Sequence, residues 1–144
     1  MPRYSAAQRK PREISLHSLK PGEPLAPVIS DFTWNVQWEY CRKAIRDHHA
    51  IYRRFMHPGW LLSQSSQILI QNWDLPAWVH VASEVQNHHA MSRECQVETR
   101  GRVHERYELQ GNHFVVLDLA LFAEAHCLQT IRQTAIFRIA PKAA

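Results

Sequence analysis

The stretch CQVETRGRVHERYELQGNHFVVLDLALF, residues 95–122, constrains the fold more than any other part of this chain. In its first half Val97, Thr99, Gly101, Val103, Glu105 and Tyr107 alternate with Glu98, Arg100, Arg102, His104, Arg106 and Glu108. Alternation with period two over this length predicts a long strand with one face in water. QGN at 110–112 is a turn signal. HFVVLDLALF, which follows, is almost continuously apolar and predicts a strand at the centre of a sheet. Two long antiparallel strands joined by a tight turn therefore form the backbone of the fold.

The flanks add the other elements. VISDFTWNV, 28–36, reads as a short strand with Val28, Phe32 and Trp34 apolar. VQWEYCRKAIRD, 36–47, spaces Trp38, Cys41 and Ile45 at helical intervals. GWLLSQSSQILIQNW, 59–73, reads as a second helix, with Leu61, Leu62, Ile68 and Leu69 on one apolar face. Ser63, Ser65 and Ser66 are small enough to let this helix lie close to a sheet, so it is expected to be buried. Pro58 before it and Pro76 after it suit its boundaries. AWVHVASEVQ, 77–86, and HCLQTIRQTAIFRI, 126–139, supply two further strands. The order is strand, helix, buried helix and four long strands, an α+β pattern with an antiparallel sheet.

At 144 residues the chain suits one domain with a real core. Its 45% apolar and 21% charged residues suit a globular protein. No apolar run approaches the ~20 residues of a membrane span, and the basic N-terminus lacks the apolar segment of a secretory signal. Residues 1–27 hold five of the eight prolines (Pro2, Pro11, Pro21, Pro24, Pro27). They also hold Arg3, Arg9, Lys10, Arg12 and Lys20 against Glu13 and Glu23. They read as an extended, flexible basic arm ahead of a domain over 28–140. Cys41, Cys95 and Cys127 form no CxxC pair and read as reduced thiols of a cytoplasmic protein. A net charge of +4 suits either nucleic acid or an anionic ligand. The arginines of the β region are interleaved with Glu94, Glu98, Glu105 and Glu108, which argues against nucleic acid.

HPGWLL, WVHVASEV, GRVHERYELQGNHFVVLDLAL and TAIFRI together resemble the MaoC-like branch of the hotdog fold, over roughly residues 28–140. The resemblance implies an antiparallel sheet wrapped around one long buried helix. It implies an acyl-thioester hydratase or dehydratase, working as a homodimer or larger homo-oligomer. It implies no cofactor beyond the pantetheine of coenzyme A or acyl carrier protein that carries the substrate. In this branch a D-x-N-P-x-H loop before the buried helix supplies an aspartate and a histidine for the water and the α-proton. Backbone N–H groups at the helix N-terminus hold the thioester oxygen.

The matching loop here is RDHHAIYRRFMHPGW, 46–60. With Asp47 on the family aspartate, His49 stands at the asparagine, Ala50 at the proline and Tyr52 at the histidine. His57, Pro58 and Gly59 replace the usual His-Gly. The candidate catalytic residues are therefore Asp47, His57 and Tyr52, with His57 able to move a proton and Tyr52 to donate one. Gly59 is the candidate oxyanion donor, and Trp60, His49 and His80 are candidates for contact with substrate. The same loop also fits an aspartate that only caps a turn.

Adjacent histidines on a loop point apart, so the doublets His48-His49 and His88-His89 predict no metal site. His80 and Ser83 stand an odd number apart and fall on opposite faces unless a bulge intervenes, which makes Glu84 the expected partner of His80. Three functions stay open: hydration or dehydration; another reaction on the thioester, such as hydrolysis, isomerisation or cyclisation; and acyl binding without catalysis.

Overall fold

The computed structural model describes residues 12–75 and 78–142. Pro2, Arg3, Arg9, Lys10 and Pro11 of the basic arm lie outside them, as do Pro76 and Ala77.

The first elements among the described residues are β1 (Arg12–Glu13), a short strand, and β2 (Val28–Phe32). Helix α1 (Trp34–Glu39) leads into a π-helical turn at Tyr40–Ala44, and a 3-10 turn covers Ala50–Arg53. Next come α2 (Pro58–Ser65), α3 (Gln67–Asn72), β3 (Trp73–Asp74) and β4 (Val79–Asn87). Three long strands close the chain: β5 (Cys95–Leu109), β6 (Asn112–Ala123) and β7 (His126–Arg138). The main sheet runs β2-β5-β6-β7-β4 with every neighbour antiparallel. β6, the most apolar strand, lies at its centre. The β5–β6 turn is tight, with Gln110 and Gly111 both at positive φ, as a two-residue hairpin connection requires. Among the described residues no helix is long and apolar enough to cross a membrane.

The helix predicted over 59–73 is present in two pieces that meet at Ser66. Ser63 Oγ donates to the Trp60 carbonyl and Ser65 Oγ to the Leu62 carbonyl, each at 2.6 Å. Such back-bonding competes with the helical ladder and bends it. The buried face is Trp60, Leu61, Ser65, Ile68 and Leu69, while Leu62 is half-buried. These side chains pack with Phe32, Val97, Val103, Leu117, Leu121 and Leu128 in one core.

Three expectations need correction. His104 is a bulge in β5, because Val103 opposes Leu117 and Glu105 opposes Val116. The extra residue reverses the alternation, so Glu105 and Tyr107 leave the core side that Val97 and Val103 occupy. Across α1 and the π-helical turn after it the inward face is Gln37 and Cys41, while Trp38 and Ile45 are exposed. Gln37 wins that face because its amide serves three backbone groups, described below. The Pro-rich segment, where described, is docked and turns twice, with Leu19 donating to the Ser15 carbonyl and Glu23 to the Lys20 carbonyl. Gly22 and Leu25 donate to the carbonyls of Val103 and Gly101 in β5 at 2.7 and 2.8 Å, and Leu19 is fully buried.

Candidate active site

The loop between α1 and α2 folds back on itself. Arg46 turns the chain at φ 51°, and the Asp47 N–H donates to the Cys41 carbonyl at 2.9 Å. Gln37, only 2% exposed, fastens the far end. Its Nε2 donates to the carbonyls of Tyr52 (2.6 Å) and Phe55 (2.8 Å), and its Oε1 accepts from the His57 N–H (2.6 Å).

These ties bring Asp47 and His57 together. His57 Nε2 stands 3.3 Å from Asp47 Oδ2. Asp47 Oδ1 accepts from the His49 N–H at 3.1 Å. His57 is also the N-cap of α2, and its Nδ1 accepts from the Gly59 N–H at 2.9 Å. With Nδ1 accepting, the neutral ring carries its proton on Nε2, directed at the carboxylate. The His49 amide, and after it His57, hold the Asp47 carboxyl below the usual carboxylate range. Asp47 is therefore an anion with a lone pair to offer, and His57 is the donor that orients it.

Two tyrosines enclose the imidazole. Tyr52 lies against it with ring centroids 4.1 Å apart, and Tyr40 meets it edge-on at 5.5 Å. A Cβ on Gly59 would stand 2.6 Å from the Tyr40 hydroxyl, so only glycine fits beneath it. Burial pushes the Tyr40 phenol and the Cys41 thiol up, which keeps both protonated at neutral pH. The carboxylate opens on a cleft of about 670 Å³ whose walls include Trp34, Trp38, Cys41, His49 and Tyr52.

Asp47, Tyr52, His57 and Gly59 thus form one cluster, with His49 at its rim. His49 caps the 3-10 turn by accepting from the Ile51 N–H at 3.1 Å. Trp60 points away into the core, edge-on to Phe32 at 5.1 Å and 3% exposed. His80 lies on a different element, the edge strand β4. A bulge between His80 and Ala82 shifts the register there. It places His80 on the same face as Ser83, with Nε2 and Oγ 2.7 Å apart. Glu84, the partner expected for His80, is opposite Arg132 on the other face.

Tyr40 and Gln37 are the two members of the cluster that the sequence reading missed. The available signal was the i, i+4 spacing of Gln37 and Cys41, masked by the larger Trp38. The N–H of Gly59, expected to face an oxyanion, is engaged by His57 in this structure. Among the described residues no three histidine, cysteine, aspartate or glutamate side chains converge as metal ligands. Of the arginines in the β region, Arg100 pairs with Glu98, Arg102 and Arg132 with Asp118, and Arg93 with Glu124, while Arg106 donates to the Leu16 carbonyl.

No protein-family model and no curated protein matches this chain in sequence. Solved structures match it well in shape. The R-hydratase PhaJ1 from Pseudomonas aeruginosa superposes with a TM-score of 0.70 at 12% identity, covering 91% of this chain and 89% of that one. The MaoC-like dehydratase from Rhodospirillum rubrum gives 0.67 at 9% identity, covering 89% and 99%. A hot-dog-like protein from Thermanaerovibrio acidaminovorans gives 0.60 at 20% identity, covering 82% of each. The fold is the hotdog fold. Within it α2 and α3 are the helix held by the curved sheet, and the cluster around Asp47 lies at that helix's N-terminus.

Proposed function

We propose that this hotdog domain adds or removes water at an enoyl or 3-hydroxyacyl thioester carried on the pantetheine of coenzyme A or of a carrier protein. The observation that carries the reading is the Asp47–His57 pair at the mouth of the buried helix, 3.3 Å apart and next to Gly59. The structural likeness to an R-hydratase and a MaoC-like dehydratase supports it.

The chemistry follows from the geometry. In the hydration direction Asp47 takes a proton from water as the oxygen bonds to the β-carbon. That same proton then returns to the α-carbon, so atoms and charge balance. Negative charge builds on the thioester oxygen in between and needs a donor. Gly59 can serve once it is free of His57. Tyr52 holds the ring in place, and the indoles of Trp34 and Trp38 offer an apolar wall to the acyl group. No cofactor other than the pantetheine carrier is required.

The active form is a homodimer. Among the described residues β4 ends the sheet with its outer edge unpaired, and Val79, Val81 and Val85 on it are 44%, 49% and 36% exposed. An apolar edge of this kind favours pairing with a second copy. The test is the loss of enoyl absorbance across a panel of trans-2-enoyl thioesters, with Asp47→Asn beside the wild type. Turnover that Asp47→Asn removes supports the reading, and turnover unchanged by it refutes it.

A further inference from the structure

The edge strand carries a second constellation that the chemistry at Asp47 does not use. His80 and Ser83 would face opposite sides of a regular strand, but the bulge at Val81 puts them on one face. There His80 Nε2 and Ser83 Oγ are 2.7 Å apart, a short hydrogen bond for a hydroxyl on an imidazole. Directly across the ladder from Ser83 stands Gln133 on β7. Gln133 is 1% exposed, yet neither its Nε2 nor its Oε1 has a hydrogen-bond partner among the described residues. Residues directly opposite on antiparallel strands hold their Cβ atoms ~4.5–5.5 Å apart, so the Gln133 side chain leaves the sheet on the same face beside Ser83.

A buried amide with both ends unmatched is costly where it serves only packing. A serine bonded to a histidine with an unengaged N–H donor beside them is a nucleophile, a base and an oxyanion donor. We propose that Ser83 is a nucleophile, activated by His80, for acyl transfer from a thioester or activated ester, with Gln133 Nε2 binding the oxyanion. Ser83 Oγ passes its proton to His80 Nε2 and forms a C–O bond to the acyl carbon. The C–S or C–O bond of the substrate breaks, and the leaving thiolate or alkoxide takes that proton. Water, deprotonated by the same histidine, then hydrolyses the acyl-serine, releasing the acid and restoring Ser83.

The inference is independent of the hydration reading, and the two have separate readouts: thiol release here, loss of enoyl absorbance there. A fluorophosphonate ester, which phosphonylates activated serines, is incubated with the full chain and the adduct located by peptide mass spectrometry. One phosphonyl group per chain on Ser83 is expected. His80→Ala and His80→Gln, checked for native circular dichroism, are expected to slow labelling by ~10²-fold or more, the usual share of a general base. Absence of an adduct on Ser83 in the wild type overturns the proposal. Equal labelling rates in the wild type and a folded His80 variant overturn it as well.

Discussion

Gly59 has no room for a side chain, because its Cβ position lies 2.6 Å from the Tyr40 hydroxyl and 3.0 Å from the His57 ring. Gly59→Ala is expected to cost about 1–3 kcal/mol through overpacking. Tyr40→Phe removes the nearest atom, so the double variant should lose less than the two single costs added. Chemical denaturation of all four proteins checks this, and strict additivity would place the strain elsewhere. Gln37 makes a second local test. Gln37→Leu leaves the carbonyls of Tyr52 and Phe55 and the N–H of His57 unmatched, and about 3 kcal/mol of stability should go with them. The pH dependence at Asp47 follows from its lowered value. The carboxylate persists from neutrality down past the ordinary carboxylate pKa of ~3.9, so loss of activity between about pH 7 and 5 cannot come from protonating it. An NMR titration of the Asp47 side chain should give a midpoint below that ordinary value.

At the scale of elements, four register shifts in the sheet, two of them at Val81 and His104, and one helix break separate this chain from a regular pattern. Each was hidden in the sequence for a physical reason. A bulge inserts one residue without changing composition, so Val81 and His104 look like ordinary members of an alternating run. The break at Ser66 arises from two hydroxyls that bond backward, and serines are equally common where they only make room. The hairpin was legible because period-two alternation and a turn glycine agree. The three central strands are also stitched on the outer face, where Asp118 of β6 meets Arg132 of β7 at 2.8 Å and Arg102 of β5 at 3.8 Å. Arg132 above all, with smaller help from His104 and Arg102, holds the Asp118 carboxyl below its usual range. A lowered folded-state pKa contributes stability above the unfolded value of ~3.9 and loses it as pH falls through the folded value. Asp118→Asn should therefore lower stability by about 1 kcal/mol at neutral pH, a figure discounted for partial exposure, and the difference should vanish in acid. Thermal melts of both proteins between about pH 7 and 3 test the sign.

For the whole molecule, the hotdog fold was legible from the order of elements, and the site only in part. Asp47 and the helix entry could be picked out as candidates because the loop keeps an aspartate and a glycine near the places the resemblance implies. The partner of Asp47 could not be chosen on spacing, since Tyr52 occupies the motif position and His57 lies ten residues away in sequence. The fold chooses His57, because the N-cap geometry of α2 leaves its Nε2 aimed at the carboxylate and stacks Tyr52 on its face. Assembly belongs to this scale too. A stable dimer is expected by light scattering at micromolar concentration, and Val81→Lys on the exposed edge should shift it toward monomer.

The central claim is that Asp47 and His57 work as a pair on the elements of water. It is tested most directly by kcat/KM for enoyl-thioester hydration at neutral pH in the wild type, Asp47→Asn and His57→Asn. Asparagine is a good N-cap, so His57→Asn keeps the helix start while removing the imidazole that orients Asp47. Both variants are expected to fall by ~10²–10⁴-fold with the fold intact. Hydration at the wild-type rate in folded Asp47→Asn would contradict the account.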